Sequence, residues 1–240
     1  NNFLTFIIIM KILDNLKIVD LGILYKDIFI LGDLQLGYED QLRSKGVLVP
    51  KFQYKDIVER LRNIFSKNKI NKIILNGDIK HEFGKINPQE WDEVLGLFDF
   101  LQDNVKEIIV IKGNHDVILD SILARRDMDL YDRYDIDNIT IIHGDKLFDD
   151  LCETVIIAHE HPAVSFKEKP TEKFKCFLVG KFEKSNLIVM PSFTEITVGS
   201  DISRGKFLSP FLDDISKFKC YIVGDDDVVK DFGLIDHLAI

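Results

Sequence analysis

Cysteine is scarce in this 240-residue chain, and the three present, Cys152, Cys176 and Cys220, lie far apart, are odd in number and form no CxxC pair. That excludes a disulfide framework and fits a reducing, cytoplasmic setting, with all three thiols read as core filler. Basic charge is also short. Lys and Arg number 31 against 40 Asp and Glu, a formal charge of -9 with a pI near 5.2. Bulk charge therefore cannot grip a nucleic-acid backbone, and any affinity for phosphate must be local. Long apolar runs are missing too. Residues 3–10 are apolar apart from Thr5, but a spanning helix needs roughly 20 such residues. A signal peptide would add basic residues before the run and a small-residue cleavage site after it, and neither is there. No membrane partner is expected. Met10-Lys11 offers an alternative start, which would make residues 1–9 a start-site artefact.

What is present describes a globular protein. The chain is 46% hydrophobic and 30% charged, enough to fill a sizeable core at a length that suits one α/β domain over residues 1–240. Short β-branched runs alternate with longer amphipathic stretches, the pattern of strands and helices in layers. Strands are expected at 27–31, 72–76, 107–111, 139–142 and 154–157. One helix is expected over 55–65, with Ile57, Val58, Leu61, Ile64 and Phe65 on one face. Another starts at Pro88 and carries Trp91, Val94, Leu95 and Phe98. Segments 176–179 and 187–190 read as a hairpin around the polar residues 183–186, and Asp225-Asp226-Asp227 reads as a turn. Two such layers imply a sandwich.

The informative feature lies just past the five strands. They lead into Asp33 and Gln35, Asp78, Asn114-His115-Asp116, His143 and His159-Glu160-His161, and His81, His115, His143, His159 and His161 are five of only six histidines. Asp, Asn, Gly and His are ordinary turn residues, so any one site alone says little. Their coincidence at successive strand ends says more, because the carboxyl ends of neighbouring strands in an open α/β sheet converge on one crevice. Glycines beside several of the donors allow close backbone approach there. A dinuclear metal site is the natural product.

Gly77-Asp78, Gly113-Asn114-His115-Asp116, His143-Gly144 and Ala158-His159-Glu160-His161 resemble, in order, the G-D, G-N-H-D/E, H and G-H-x-H blocks of the calcineurin-like metallophosphoesterases. Ala158 replaces a glycine, and in Asp33-Leu34-Gln35 a glutamine stands where the family usually has the histidine of D-x-H. Within the family, Gly37-Tyr38-Glu39 through Arg43, Gly46 and Pro50 looks like the archaeal proteins related to the nuclease subunit SbcD/Mre11. Pro191-Ser192-Phe193, Gly199-Ser200-Asp201 and Leu208-Ser209-Pro210 are similar to that group and to the ligase-associated endonucleases.

The resemblance implies a four-layer αββα sandwich of two mixed sheets flanked by helices, and a hydrolase with two divalent ions. Asp78 would bridge them. Asp33, Gln35 and His161 would hold one ion, and Asn114, His143 and His159 the other. Mixed oxygen and imidazole donors suit Mn²⁺ first, with Fe, Zn²⁺ or Mg²⁺ as alternatives. Such ions share an activated water and clamp an in-line displacement at phosphorus. His115 then serves as acid for the departing oxygen, with Asp116 expected to accept a hydrogen bond from its ring and fix the tautomer. His81 would touch substrate or orient a ligand, and Arg43 could bind a phosphate bidentately from the loop after the first motif. Lys80 and Lys112 are expected to be solvated. Phe193 and Phe207 could stack on a base, although core packing is the better reading of each. Three functions stay open: a phosphodiesterase of nuclease type acting on a phosphoester such as nucleic acid, a phosphomonoesterase on small molecules or nucleotides, and a non-catalytic scaffold like the retromer subunit of this fold. A homo-oligomer would be in keeping with the family, although no interface is visible in the sequence.

Overall fold

The computed structural model describes residues 10–13, 15–83, 87–224, 228–238 and 240. The apolar start, the candidate start-site artefact at 1–9 and the Asp225-Asp226-Asp227 turn lie outside the described residues. Two sheets form the body. In the first, β1 (Met10–Leu13), β2 (Leu16–Val19), β3 (Gly22–Tyr25), β4 (Ile28–Leu31), β5 (Lys72–Asn76), β6 (Glu107–Ile111) and β7 (Leu130–Tyr131) lie side by side in chain order. β1 to β4 form an antiparallel meander, after which β4, β5, β6 and β7 run parallel, with Ile30 beside Ile74 and Ile74 beside Ile109.

The second sheet contains β8 (Tyr134–Ile136), β9 (Ile139–Ile142), β10 (Thr154–Ile157), β11 (Pro162–Phe166), β12 (Lys169–Phe182), β13 (Ser185–Val189), β14 (Ser200–Asp201), β15 (Lys219–Val223) and β16 (Val229–Leu234). Its order is β14-β11-β12-β13-β10-β9-β8, with β15 added to β12 and β16 to β15. β9, β10 and β13 run parallel at its centre. The expected hairpin is β12–β13, but its strands are longer than their apolar stretches. The turn shrinks to residues 183–184, with Glu183 at φ 52°.

Period-two alternation explains how the sheets stack. Along the second sheet Ile141, Ile156, Phe177, Val179, Ile188 and Tyr221 join the core shared with the first sheet. Their neighbours Ile142, Val155, Ile157, Cys176, Leu178, Leu187 and Cys220 face a second core on the other side. Cys176 and Cys220 are thus core residues as expected, whereas Cys152 is only half-buried.

Helices α1 (Tyr38–Ser44), α2 (Gln53–Lys67), α3 (Pro88–Asn104) and α4 (Leu119–Leu123) connect the strands of the first sheet. α2 and α3 add Ile57, Leu61, Ile64, Val94, Leu97, Phe98 and Leu101 to its core. Each such side chain contributes about 1.5–3 kcal/mol by leaving water. Asn87 starts α3 with a capping box, its side chain accepting from Glu90 N–H at 2.7 Å, and Pro88 occupies the first turn. The outer face of the second sheet is covered differently. Ile202, Phe211, Leu212, Ile215 and Phe218 reach it from an irregular segment with a single 3₁₀ turn at Ile202–Arg204. Among the described residues no helix is long and apolar enough to cross a membrane.

Candidate metal centre

The carboxyl ends of β4, β5 and β6 in one sheet and of β9 and β10 in the other open onto one place. Asp33 follows β4, Asp78 follows β5, Asn114 follows β6, His143 follows β9, and His159 and His161 follow β10. The two edges are stitched together: Phe193 N–H donates to Gly32 O at 3.0 Å, and His159 N–H donates to Asp33 Oδ2 at 3.1 Å.

Several residues here have strained backbones. Asp33 (φ 55°), Gln35 (48°), Asp78 (48°), His159 (65°) and His161 (50°) all occupy the left-handed region. Each such residue costs on the order of 1 kcal/mol and persists only where the surroundings over-determine it. The surroundings do so through hydrogen bonds between the loops, among them Asp33 N–H to Gly77 O at 3.0 Å and Gln35 N–H to Asp78 O at 2.9 Å. Two glycines make the close approach possible. A Cβ on Gly77 would lie 2.2 Å from His143 Nδ1, and one on Gly113 would lie 2.1 Å from Asp78 Oδ1 and 2.2 Å from Asp78 N.

Donor atoms converge in two groups. Asp78, His143 and His159 offer ligand atoms all within 4.8 Å of one another, and so do Asp33, Asp78 and His161. Asp78 belongs to both. His143 Nδ1 donates to the carbonyl of Asn76 at 3.2 Å, so its Nε2 is left facing Asn114 Oδ1 at 3.2 Å, His159 Nδ1 at 3.2 Å and Asp78 Oδ1 at 3.5 Å. His161 Nε2 approaches Asp33 Oδ1 at 3.0 Å, yet neither atom has a hydrogen-bond partner. Gln35 is 7% exposed and is anchored by its backbone, its carbonyl accepting from Gln53 Nε2 at 2.9 Å.

The electrostatics follow from burial opposed by opposite charge. Burial alone would push Asp78 up, but the hydrogen bond and charge of His143, helped by His115, hold it at about 2. Burial alone would push His143 down, but Asp78 and Asp33 raise it to about 9. His159 is pushed down by burial and by His143. Without cations the nest is thus an ion pair around His143, and a divalent ion would take the proton's place.

The expected contact between His115 and Asp116 is not made. Asp116 is fully buried and turns back under its own loop, accepting from Gly113 N–H at 3.0 Å, Ile79 N–H at 3.1 Å and Lys80 N–H at 3.4 Å. Burial and the nearby Asp78 raise it to about 6. The tautomer of His115 is fixed instead by His81, whose carbonyl accepts from His115 Nδ1 at 2.6 Å. His115 Nε2 is then left 3.9 Å from Asp78 Oδ2. The ring of His81 stacks on His115 at 5.8 Å and meets Gln41 Oε1 at 3.1 Å. Burial and repulsion from His115 lower it to about 4, so it is neutral at pH 7.

Two further expectations need correction. Lys80 is fully buried rather than solvated, its ammonium donating to the carbonyl of Glu82. Arg43 lies on α1 rather than in a loop, and it is exposed. Sequence reasoning also missed three buried glutamates that hold loops in place. Glu39 accepts from Phe52 N–H at 3.0 Å and Gln53 N–H at 2.9 Å. Glu90 accepts from His81 N–H at 3.0 Å and Glu82 N–H at 2.9 Å. Glu160 accepts from Leu208 N–H at 2.7 Å and Ser209 N–H at 3.0 Å. Only Glu90 carried a signal, the capping-box spacing from Asn87.

Two stacked mixed sheets with two overlapping donor groups at their shared edge define a metal-binding α/β protein. The chain belongs to the calcineurin-like phosphoesterases, whose family profile matches residues 26–199, and it is therefore of hydrolase class. Among solved structures it is similar to the Pseudomonas putida nuclease MPE, at 17% identity and a TM-score of 0.64 over 90% of this chain and 94% of that one. It also matches a phosphoesterase from E. coli, Yfce, at 12% identity and a TM-score of 0.41 over 87% and 93%. Vps29 of Chaetomium thermophilum matches at 13% and 0.38 over 85% and 92%. At these identities the first likeness shows the fold alone, and the other two are too distant to argue from. Comparison with curated protein sequences gives no match.

Proposed function

We propose that this protein is a two-metal phosphodiesterase of nuclease type. Asp33, Gln35 and His161 would hold one divalent ion and Asn114, His143 and His159 the other, with Asp78 common to both donor groups. The observation that carries this reading is the overlap of two donor groups on one buried carboxylate. The donors fit such ions. Asp33 Oδ1 and His161 Nε2 lie 3.0 Å apart yet are buried without a hydrogen bond to satisfy them, an arrangement a cation between them would relieve. Carboxylate, amide and imidazole together suit Mn²⁺, Fe or Zn²⁺, and the neutral oxygen of Gln35 in place of an imidazole tilts the choice towards Mn²⁺ or Mg²⁺. Bound ions would supply Lewis-acid stabilisation of the phosphoryl oxygens and acidify a water.

The remaining work falls to side chains. His115 keeps its Nδ1 proton on the His81 carbonyl, so the second proton of its imidazolium form, on Nε2, is the one it would deliver to the departing oxygen, leaving the neutral ring behind. Asp116 supports that step from behind by bracing the turn that carries Asn114 and His115 against the backbone of Ile79 and Lys80. His81 orients His115, and the exposed Arg43 is a candidate phosphate contact. The Pseudomonas protein of this fold is a nuclease, which makes DNA the first polymer to try. The test is turnover by Mn²⁺-loaded protein of bis(p-nitrophenyl) phosphate, p-nitrophenyl phosphate and single-stranded DNA. Cleavage of the diester and of DNA is expected. Turnover of the monoester alone would replace this reading with a phosphomonoesterase, and metal binding without any turnover would point to a scaffold.

A further inference from the structure

Phe193 is 1% exposed and Phe207 packs against the second core, so neither is free to stack on a substrate. Phe83 is placed differently. It is 62% exposed, and its ring stands edge-on to His115 with centroids 5.7 Å apart and an interplanar angle of 87°. His115 Nε2 lies 3.9 Å from Asp78 Oδ2. One imidazole therefore separates Phe83 from the carboxylate shared by both donor groups. From His115 the ring contacts also continue through His81 at 5.8 Å to Tyr38, which meets His81 at 4.3 Å.

A single exposed phenylalanine is unremarkable on its own. What distinguishes this one is its mounting. The two residues before it in the chain are held by their backbones. Glu90 accepts from His81 N–H at 3.0 Å and from Glu82 N–H at 2.9 Å, and the His81 carbonyl accepts from the His115 ring. Glu90 is fully buried, and burial raises its pKa despite the opposing pull of those N–H donors. A buried carboxylate thus fixes the backbone that leads into a solvent-facing ring beside the metal centre.

We propose that Phe83 is a stacking platform for an aromatic group carried by the alcohol esterified to the substrate phosphate, a nucleotide base above all. This rests on the phosphodiesterase reading, with phosphate at the donor nest. A nucleotide separates its base from its phosphate by one sugar, and one imidazole separates Phe83 from Asp78. Base–aromatic stacking tolerates any base, because every base has a π-face, so the platform selects for aromatic esters without reading sequence.

The test is calorimetric titration of Mn²⁺-loaded wild type, Phe83→Ala and Phe83→Trp with two probes. One is inorganic phosphate. The other is the phosphonate analogue of AMP in which a methylene replaces the ester oxygen, so that no hydrolysis interferes. Phe83→Ala should weaken the nucleotide analogue about tenfold, the order expected when a base stack is lost, and leave inorganic phosphate within about twofold. Phe83→Trp should restore or tighten the analogue. Equal weakening of both probes, or no change in either, overturns the platform while leaving the phosphodiesterase reading intact. Failure of the wild type to bind either probe, together with no turnover of bis(p-nitrophenyl) phosphate, overturns both.

Discussion

Replacing Asp78 with asparagine tests the shared carboxylate directly. Asp78 is 2% exposed, and its pKa is held at about 2 against an ordinary 3.8 because His143 and His115 outweigh the burial penalty. A shift of that size corresponds to about 2 kcal/mol. The folded value is depressed, so in chelator-treated protein this stability is present above about pH 4 and lost as the pH falls towards 2. Asp78→Asn should remove that acid limb and cost the metal-free protein about 2 kcal/mol at neutral pH. The larger effect concerns cations. An ion present at a hundred times its Kd adds about 2.7 kcal/mol, so two sites add about 5 kcal/mol, or about 10 °C in Tm for a chain of this size. Chelation should therefore lower the Tm of wild type by about 10 °C and that of Asp78→Asn hardly at all. Titration calorimetry should find both sites weakened more than about 100-fold in Asp78→Asn. In His161→Ala one site should be lost while the other persists, because His161 belongs to one donor group only. A variant lacking the carboxylate but keeping the wild-type stoichiometry and chelation shift would refute the shared-ligand arrangement.

Two further substitutions probe the same nest. Gly113→Ala places a methyl 2.1 Å from Asp78 Oδ1 and 2.2 Å from its backbone nitrogen, a clash that rotamer change cannot relieve. It should cost about 1–3 kcal/mol or more in chemical denaturation and weaken both metal sites, and wild-type values for both would contradict the geometry. Gln35→His should tighten the ion shared by Asp33 and His161 while leaving the other site unchanged in calorimetry. Unaltered affinity would mean that the side chain at this position is not a ligand.

The strands at 72–76, 107–111, 139–142 and 154–157 were readable to the residue because each is a short β-branched run stopped abruptly by a polar or glycine-containing loop. The gathering of Asp33, Asp78, Asn114, His143, His159 and His161 was readable for a related reason: parallel strands must end on the same side. What escaped is what depends on side-chain direction. Asp116 follows His115 in sequence, yet the tight turn sends the imidazole outward and the carboxylate inward, so adjacency in the chain did not become a contact. Lys80 reads as solvated because nothing in the sequence marks the carbonyl of Glu82 that receives its ammonium. Glu39 and Glu160 were opaque for the same reason, since their partners are backbone N–H groups, which every residue but proline has. α1 begins at Tyr38 behind Gly37, which offers no side-chain cap, so its start carried no signal.

The donors of each group come from both sheets, Asp33 and Asp78 from one and His143, His159 and His161 from the other. A cation held there would rivet the two layers at one end of the sandwich only. Amide hydrogens in the loops after β4, β5, β9 and β10 would then exchange far more slowly when loaded, while those at the opposite rim, around the turns that enter the same strands, would keep their pace.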